Sequence, residues 1–234
     1  MKIAIMQPYF LPYIGYWQLI AAVDKFIILD DVNYINRGWI NRNRILCNQV
    51  PSWITLPLVG ASQNKLICDL EILPDDGWRL KMEKLVTHSY CKAPYYDIIF
   101  PFFQRLLADA HGNLSDFLYT SISAISNQMQ LKTEIIPTSR NFPKGDLRGQ
   151  DRIINICKQI SAYQYFNPPG GRELYNSEPF LDAGISLFFL TPFSDSSDVK
   201  PLLAGDQTLS ILDLMMNNRI DSISNAILNL RIQP

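Results

Sequence analysis

The stretch KIAIMQPYFLPYIGYWQLIAAVDKFIILDD, residues 2–31, decides how the rest of the chain is read. Lys2 to Met6 and Phe26 to Leu29 are apolar runs, the pattern of strands buried on both faces of a parallel sheet. Between them, Gly15 to Val23 sets Trp17, Ile20 and Ala21 at helical spacing, while Pro8 and Pro12 keep the preceding segment out of helix. The order is strand, polar loop, helix, strand. Open parallel sheets place ligands at the carboxyl ends of their strands, so Gln7 to Tyr13 and Asp30 to Asn33 are the expected neighbouring walls of a site.

Working outward, Ser52 to Leu58 and Leu66 to Leu73 alternate as a hairpin or edge-strand lobe does. Trp78 to Ser89, Tyr95 to Ala108 and a segment running to Met129 carry helical spacing, the last with Ser115 as its expected N-cap. Glu134 to Pro137 reads as a short strand, Gln150 to Ile160 as a helix and Ala162 to Phe166 as a strand. Ile185 to Leu190 follows as the last strand and Ser210 to Met216 as the closing helix. The predicted fold is α/β, a parallel-sheet, Rossmann-like core with an inserted or appended helical and β-hairpin lobe. A single domain over 1–234 is expected, with a helical subdomain near 78–130.

Nearly half of the 234 residues are hydrophobic, enough to build a sizeable core, and the formal charge is −1. That balance supplies no global basic field to draw the chain onto nucleic acid or an anionic membrane surface, so an anion site has to be local. Cys47, Cys68, Cys91 and Cys157 lie far apart without a CxxC pair, and the opening apolar run stops at Gln7-Pro8, too short for a secretory leader. The longest apolar stretches, such as Ile185 to Leu190, fall short of the roughly 18–20 residues of a membrane span. A cytoplasmic protein with reduced thiols is expected.

Several groups of residues could carry chemistry. Gln7, Tyr9 and Gly15 stand where a first-strand loop meets a helix amino end that favours anions, although the loop's aromatics could equally cap the core. Asp30 and Asp31 are candidates for accepting a ribose or sugar hydroxyl, holding Mg²⁺ or taking a proton from an attacking amine, with one solvated carboxylate and one helix cap as the plain alternative. As strand neighbours they should point to opposite faces and not act as a pair on one atom. In GWINRNRI, residues 38–45, Asn41 and Arg42 are the expected anion binders, against a solvated loop as the plain alternative. His88, in THSYCKAPYY with Tyr90, is the better of two histidines for acid-base work, and a satisfied surface histidine is the alternative. Arg148 and Arg152 sit in LRGQDRI at a helix amino end. NPPGGRELY, residues 167–175, offers a glycine turn with Arg172 and Tyr175 that could hold phosphate or simply turn the chain. No Walker loop, GxGxxG, HExxH or GxSxG occurs. No metal set and no particular cofactor is indicated.

MQPYFLPYIGY, DDVNY, GWINRNRI, ASQNKL, HSYCKAPYY, LRGQDRI, NPPGGRELY and LSILDLM, in this order along nearly the whole chain, resemble the WbqC-like protein family. That resemblance implies a role in making or decorating bacterial surface polysaccharide such as O-antigen; it carries over no catalytic residue. A fainter likeness joins the first loop to the nucleotidyltransferase-like superfamily, with Gly15-Tyr16 standing where a glycine-histidine pair opens the helix. It supports a related core and weakens adenylyl transfer, since tyrosine offers no cation to a phosphate. The leading expectation is a transferase that attaches an acyl or aminoacyl group to a nucleotide-linked amino sugar, drawing on an acyl-thioester donor. Arg42 with Arg148 or Arg152 would hold the diphosphate, and Asp30, Asp31 or His88 would handle the proton. Tyr9, Tyr90 or Asn41 would donate to the carbonyl oxygen. A nucleotidyltransferase-like enzyme and a non-catalytic sugar-nucleotide-binding module are the alternatives, and self-association stays open.

Overall fold

The computed structural model describes residues 1–191, 209–229 and 231–233. The chain opens as expected, with β1 (Lys2–Met6), α1 (Ile14–Ala21) and β2 (Lys25–Ile28). An antiparallel hairpin follows, β3 (Arg42–Cys47) and β4 (Val50–Thr55), and then three helices, α2 (Gly77–Tyr90), α3 (Tyr96–Ala108) and α4 (Leu114–Gln128). The chain returns through β5 (Glu134–Ile136), α5 (Gly149–Gln159), β6 (Gln164–Asn167), α6 (Ser177–Asp182) and β7 (Ser186–Thr191). It ends in α7 (Ile211–Asn217), α8 (Ile220–Leu228) and β8 (Arg231–Gln233).

The sheet order is β5-β2-β1-β6-β7-β8, with every pairing parallel except β7 with β8. The apolar run of β1 is explained by this placement, because the strand is central and both of its faces are covered. Ala4 joins Phe26, Ile28 and Phe166 under α1 to α4 and the C-terminal helices. Ile3 and Ile5 point the other way with Ile27 and Tyr165, against Ile153, Ile156 and Cys157 of α5 and Phe180 of α6. The helices over residues 77–128 share the first of these two cores with α1 and the hairpin.

Four expectations change. GWINRNRI is not a polar loop, because its second half is β3, where Asn43 and Ile45 are buried and Arg42 and Arg44 lie toward the surface. The polar inward position Asn43 hid the alternation. Leu66 to Leu73 is an irregular segment with a 3₁₀ turn at Ile67–Asp69 and isolated bridges Asn33 to Leu66 and Leu58 to Ile72, although Ile67, Leu70 and Ile72 are buried. The cap of α4 is Asn113, whose side chain accepts from the Ser115 and Asp116 amides, leaving the Ser115 hydroxyl for another partner. Ile185 to Leu190 is not the last strand, nor Ser210 to Met216 the last helix, since α8 and β8 follow.

Candidate functional site

The connection from β1 leads to β2 on one side of the sheet centre, while β6 lies on the other side of β1, so the loops after β1 and β6 part at their carboxyl ends. Open α/β sheets bind ligands at such a switch point. A cleft of about 560 Å³ opens there, floored by Ile5, Met6 and Leu29. The β1–α1 loop contributes Gln7, Tyr9 and Tyr13; the connection from β2 to β3 contributes Ile35 and Trp39. The segment after β6 contributes Asn167, the turn from Pro168 to Gly171, Leu174 and Tyr175.

Hydrogen bonds from distant elements set the first loop. Leu11 is buried in the left-handed region, at φ +45°, and its carbonyl accepts from Asn43 Nδ2 at 2.8 Å and Ser210 Oγ at 2.9 Å. Asn43 Nδ2 also donates to the Phe10 carbonyl at 3.0 Å, and the Phe10 amide donates to the Trp39 and Ile40 carbonyls. Tyr16 is fully buried, and its hydroxyl donates to the Gln7 carbonyl at 3.0 Å. A Cβ on Gly15 would lie 2.5 Å from the Tyr13 ring, so this glycine admits the chain's own tyrosine against the first turn of α1. On the opposite wall, a Cβ on Gly171 would lie 2.2 Å from Asn167 Nδ2, so this glycine gives Asn167 its place.

The chemical character of the cleft is neutral. Burial, with a smaller contribution from Tyr13, pushes the Tyr9 phenol up to about 12, and burial also raises Tyr13 and Tyr175. These hydroxyls therefore keep their protons around pH 7 and can donate. Among the described lining residues there is no Asp, Glu, Lys, Arg or His.

The structure distributes the remaining candidate residues over other places. Asp30 and Asp31 follow β2 and, contrary to the expectation of opposite faces, meet at one hydroxyl: Ser139 Oγ lies 3.2 Å from Asp30 Oδ1 and 2.5 Å from Asp31 Oδ1. Asp30 also accepts from Thr138 Oγ1, the Ser139 amide and Ser115 Oγ, with Arg140 Nε 3.3 Å away. Asp31 Oδ2 is 3.1 Å from Arg152 Nη2, which also donates to the Ser139 and Phe142 carbonyls. Both carboxylates and Arg152 are almost fully buried, so this knot joins β2 to the segment before α5. Arg148 is exposed at the N-cap position of α5.

Asn41 is buried and accepts from the Tyr34 hydroxyl while donating to the Leu56 carbonyl, each at 2.8 Å. Arg42 stacks 3.9 Å above the Trp53 ring and donates to the Gly38 and Arg37 carbonyls. His88 and Tyr90 belong to a second depression, about 670 Å³, that shares no lining residue with the first. There Asn48 lies 3.3 Å from exposed His88, and the Tyr90 hydroxyl donates to Asp213 at 2.5 Å.

Of the expected residues, Gln7 and Tyr9 line the switch-point cleft, and Gly15 lies behind its Tyr13 wall. Trp39 reaches it; the neighbouring Arg42 is not among its lining residues. Asn167 and Tyr175 were not expected as partners of Gln7, and Tyr13 lay in the expected wall without being singled out. A signal existed: a carboxamide followed by proline comes just after β1, Gln7-Pro8, and at the end of β6, Asn167-Pro168.

Fold and cleft together define a doubly wound α/β protein with an aromatic, carboxamide-bearing seat at the sheet's switch point. The chain matches the model of the WbqC-like protein family over residues 7–225 and belongs to that family. It is 29% identical over 218 residues to an uncharacterized protein of Mycobacterium tuberculosis (strain ATCC 25618 / H37Rv), covering 92% of this chain and 93% of that one. No solved structure gives a significant match. Among the described residues no helix is long and apolar enough to cross a membrane.

Proposed function

We propose that the protein binds a nucleotide-linked amino sugar in the switch-point cleft and transfers an acyl or aminoacyl group from a thioester to the sugar's amine. The observation that carries the binding half is the convergence of Gln7, Tyr9 and Tyr13 with Asn167 and Tyr175 across the switch point. The transfer half rests on the family's implied place in surface-polysaccharide synthesis. The protonated phenols of Tyr9 and Tyr13 add hydrogen-bond donors to the binding half. The free amine attacks the carbonyl carbon, a C–N bond replaces the C–S bond, and the proton leaves nitrogen for the departing thiolate or water. Holding both reactants in line supplies much of the rate.

Arg42 and Arg152 already serve protein partners and Arg148 is not among the described lining residues, so the diphosphate meets solvent in this reading. Nucleotidyl transfer is disfavoured, because Tyr16, at the place of the superfamily's histidine, is buried in the core. The lack of a carboxylate or imidazole among the described lining residues favours one second reading, a non-catalytic module that binds the same sugar nucleotide. Incubating the protein with acetyl-coenzyme A and a panel of UDP-, dTDP-, GDP- and CMP-linked amino sugars separates the two by mass spectrometry. An acetyl mass gain on one sugar supports transfer, binding without mass gain supports the module, and no binding by any member overturns both.

A further inference from the structure

We infer that the switch-point cleft is the seat of the nucleobase, with the phosphates and sugar directed out through its mouth; this rests on the reading of the cleft as the substrate site. A nucleobase presents two π-faces and one polar edge. The cleft offers the matching surfaces, the rings of Tyr9, Tyr13, Trp39 and Tyr175 and the carboxamides of Gln7 and Asn167. A carboxamide carries a donor and an acceptor side by side, the arrangement that reads a base edge with two hydrogen bonds. Asn167 is only 4% exposed, and its position depends on the missing Cβ of Gly171, so this amide is set in place by the fold. A pyranose fits less well, because it directs hydroxyls around its whole rim and the apolar floor of Ile5, Met6 and Leu29 has no partners for them.

The phosphate position of dinucleotide folds is filled differently here. Those folds place the anion against the first turn of the helix after β1, where glycine lets it approach. In this chain the Tyr13 ring occupies the space that Gly15 leaves, which puts an aromatic surface where a phosphate would sit. Ile35 and Leu174, on the walls to either side of β1, are 51% and 73% exposed. Apolar side chains at these lips gain from covering a flat ring and gain nothing from a phosphate.

Calorimetric titration of the full chain with uridine, thymidine, cytidine, adenosine and guanosine, then with the matching 5′-diphosphates and free N-acetylglucosamine, tests this at low and high salt. One nucleoside is expected to bind, its diphosphate to bind within a few-fold of it, and the nucleoside's affinity to be unchanged by salt. Trp39→Ala is expected to lower that affinity roughly 5- to 150-fold, the range found for losing one stacked ring. Asn167→Ala is expected to blur the preference among bases while the thermal melt shows the chain still folded. A diphosphate that binds where its nucleoside does not, or a free sugar that binds where no nucleoside does, overturns the inference and leaves the transferase reading standing. A nucleoside that binds while no nucleotide-linked sugar does supports the inference and removes the transferase reading.

Discussion

Leu11 shows how much of the site is set one residue at a time. An L residue in the left-handed region costs about 1–2 kcal/mol, and here the buried carbonyl of that residue receives two side-chain donors, Asn43 and Ser210. Removing one donor set leaves the Phe10 and Leu11 carbonyls short of partners in the core. Asn43→Ala is therefore expected to lower unfolding stability by about 1–3 kcal/mol in a urea titration and to weaken ligand binding with it, as Tyr9 and Tyr13 lose their setting. Gly15→Ala should separate the two effects. Alanine favours a helix by about 0.8–1.0 kcal/mol over glycine, so stability should change little, while the new methyl displaces the Tyr13 ring and binding falls. Retained binding in Gly15→Ala would show that Tyr13 is not part of the seat. Gln7 and Tyr9 were legible in the sequence because they follow an unmistakable buried strand. Tyr13 fell within the same expected wall but was not singled out, since nothing local says that its ring folds back over a glycine two residues on.

At the scale of elements, two buried polar contacts tie strands to helices. The Asp30, Asp31, Ser139 and Arg152 knot anchors the end of β2 to α5, and Arg152→Leu leaves Asp31 as a buried charge without its guanidinium. A loss of about 3–5 kcal/mol is expected from chemical denaturation, larger than for Asp31 and Arg152 replaced together by apolar residues. The second contact, Tyr90 with Asp213, ties α2 to α7. Burial raises the Asp213 carboxyl above the ordinary range, with the Tyr90 and Leu46 hydrogen bonds opposing it. A carboxyl that holds its proton more tightly in the fold contributes most below the ordinary carboxylate range and loses that contribution as pH climbs through the raised value. The melting temperature should carry this downward slope above acid pH, and Asp213→Asn should flatten it. Most helices and sheet strands were legible from their periodicity, within a residue or two at most ends, but α6, α8 and β8 were not. The strand β3 was not, because buried Asn43 interrupts its apolar alternation with a side chain whose partners lie more than thirty residues away.

Over the whole molecule, the parallel core and the presence of a hairpin lobe could be foreseen, but neither the first strand of that hairpin nor the sheet's strand order could. Local patterns identify β1 and β6 as buried strands without revealing that they are neighbours, and it is this adjacency that joins Gln7 to Asn167. The arginines and carboxylates failed to assemble with them for a related reason. Charged groups at predicted strand ends look like site residues in sequence, yet the cost of burying a charge gives Asp30, Asp31 and Arg152 protein partners, while Arg148 stays exposed. His88 was plausible on local grounds too, and the fold carries it to a separate depression. The central claim is thus about place, that the substrate sits between the loops after β1 and β6. Crystals soaked with whichever nucleotide-linked sugar binds in solution test it most directly. Density is expected beside Gln7, Tyr13 and Asn167, whereas density beside His88 and Tyr90 with an empty switch-point cleft would contradict the account.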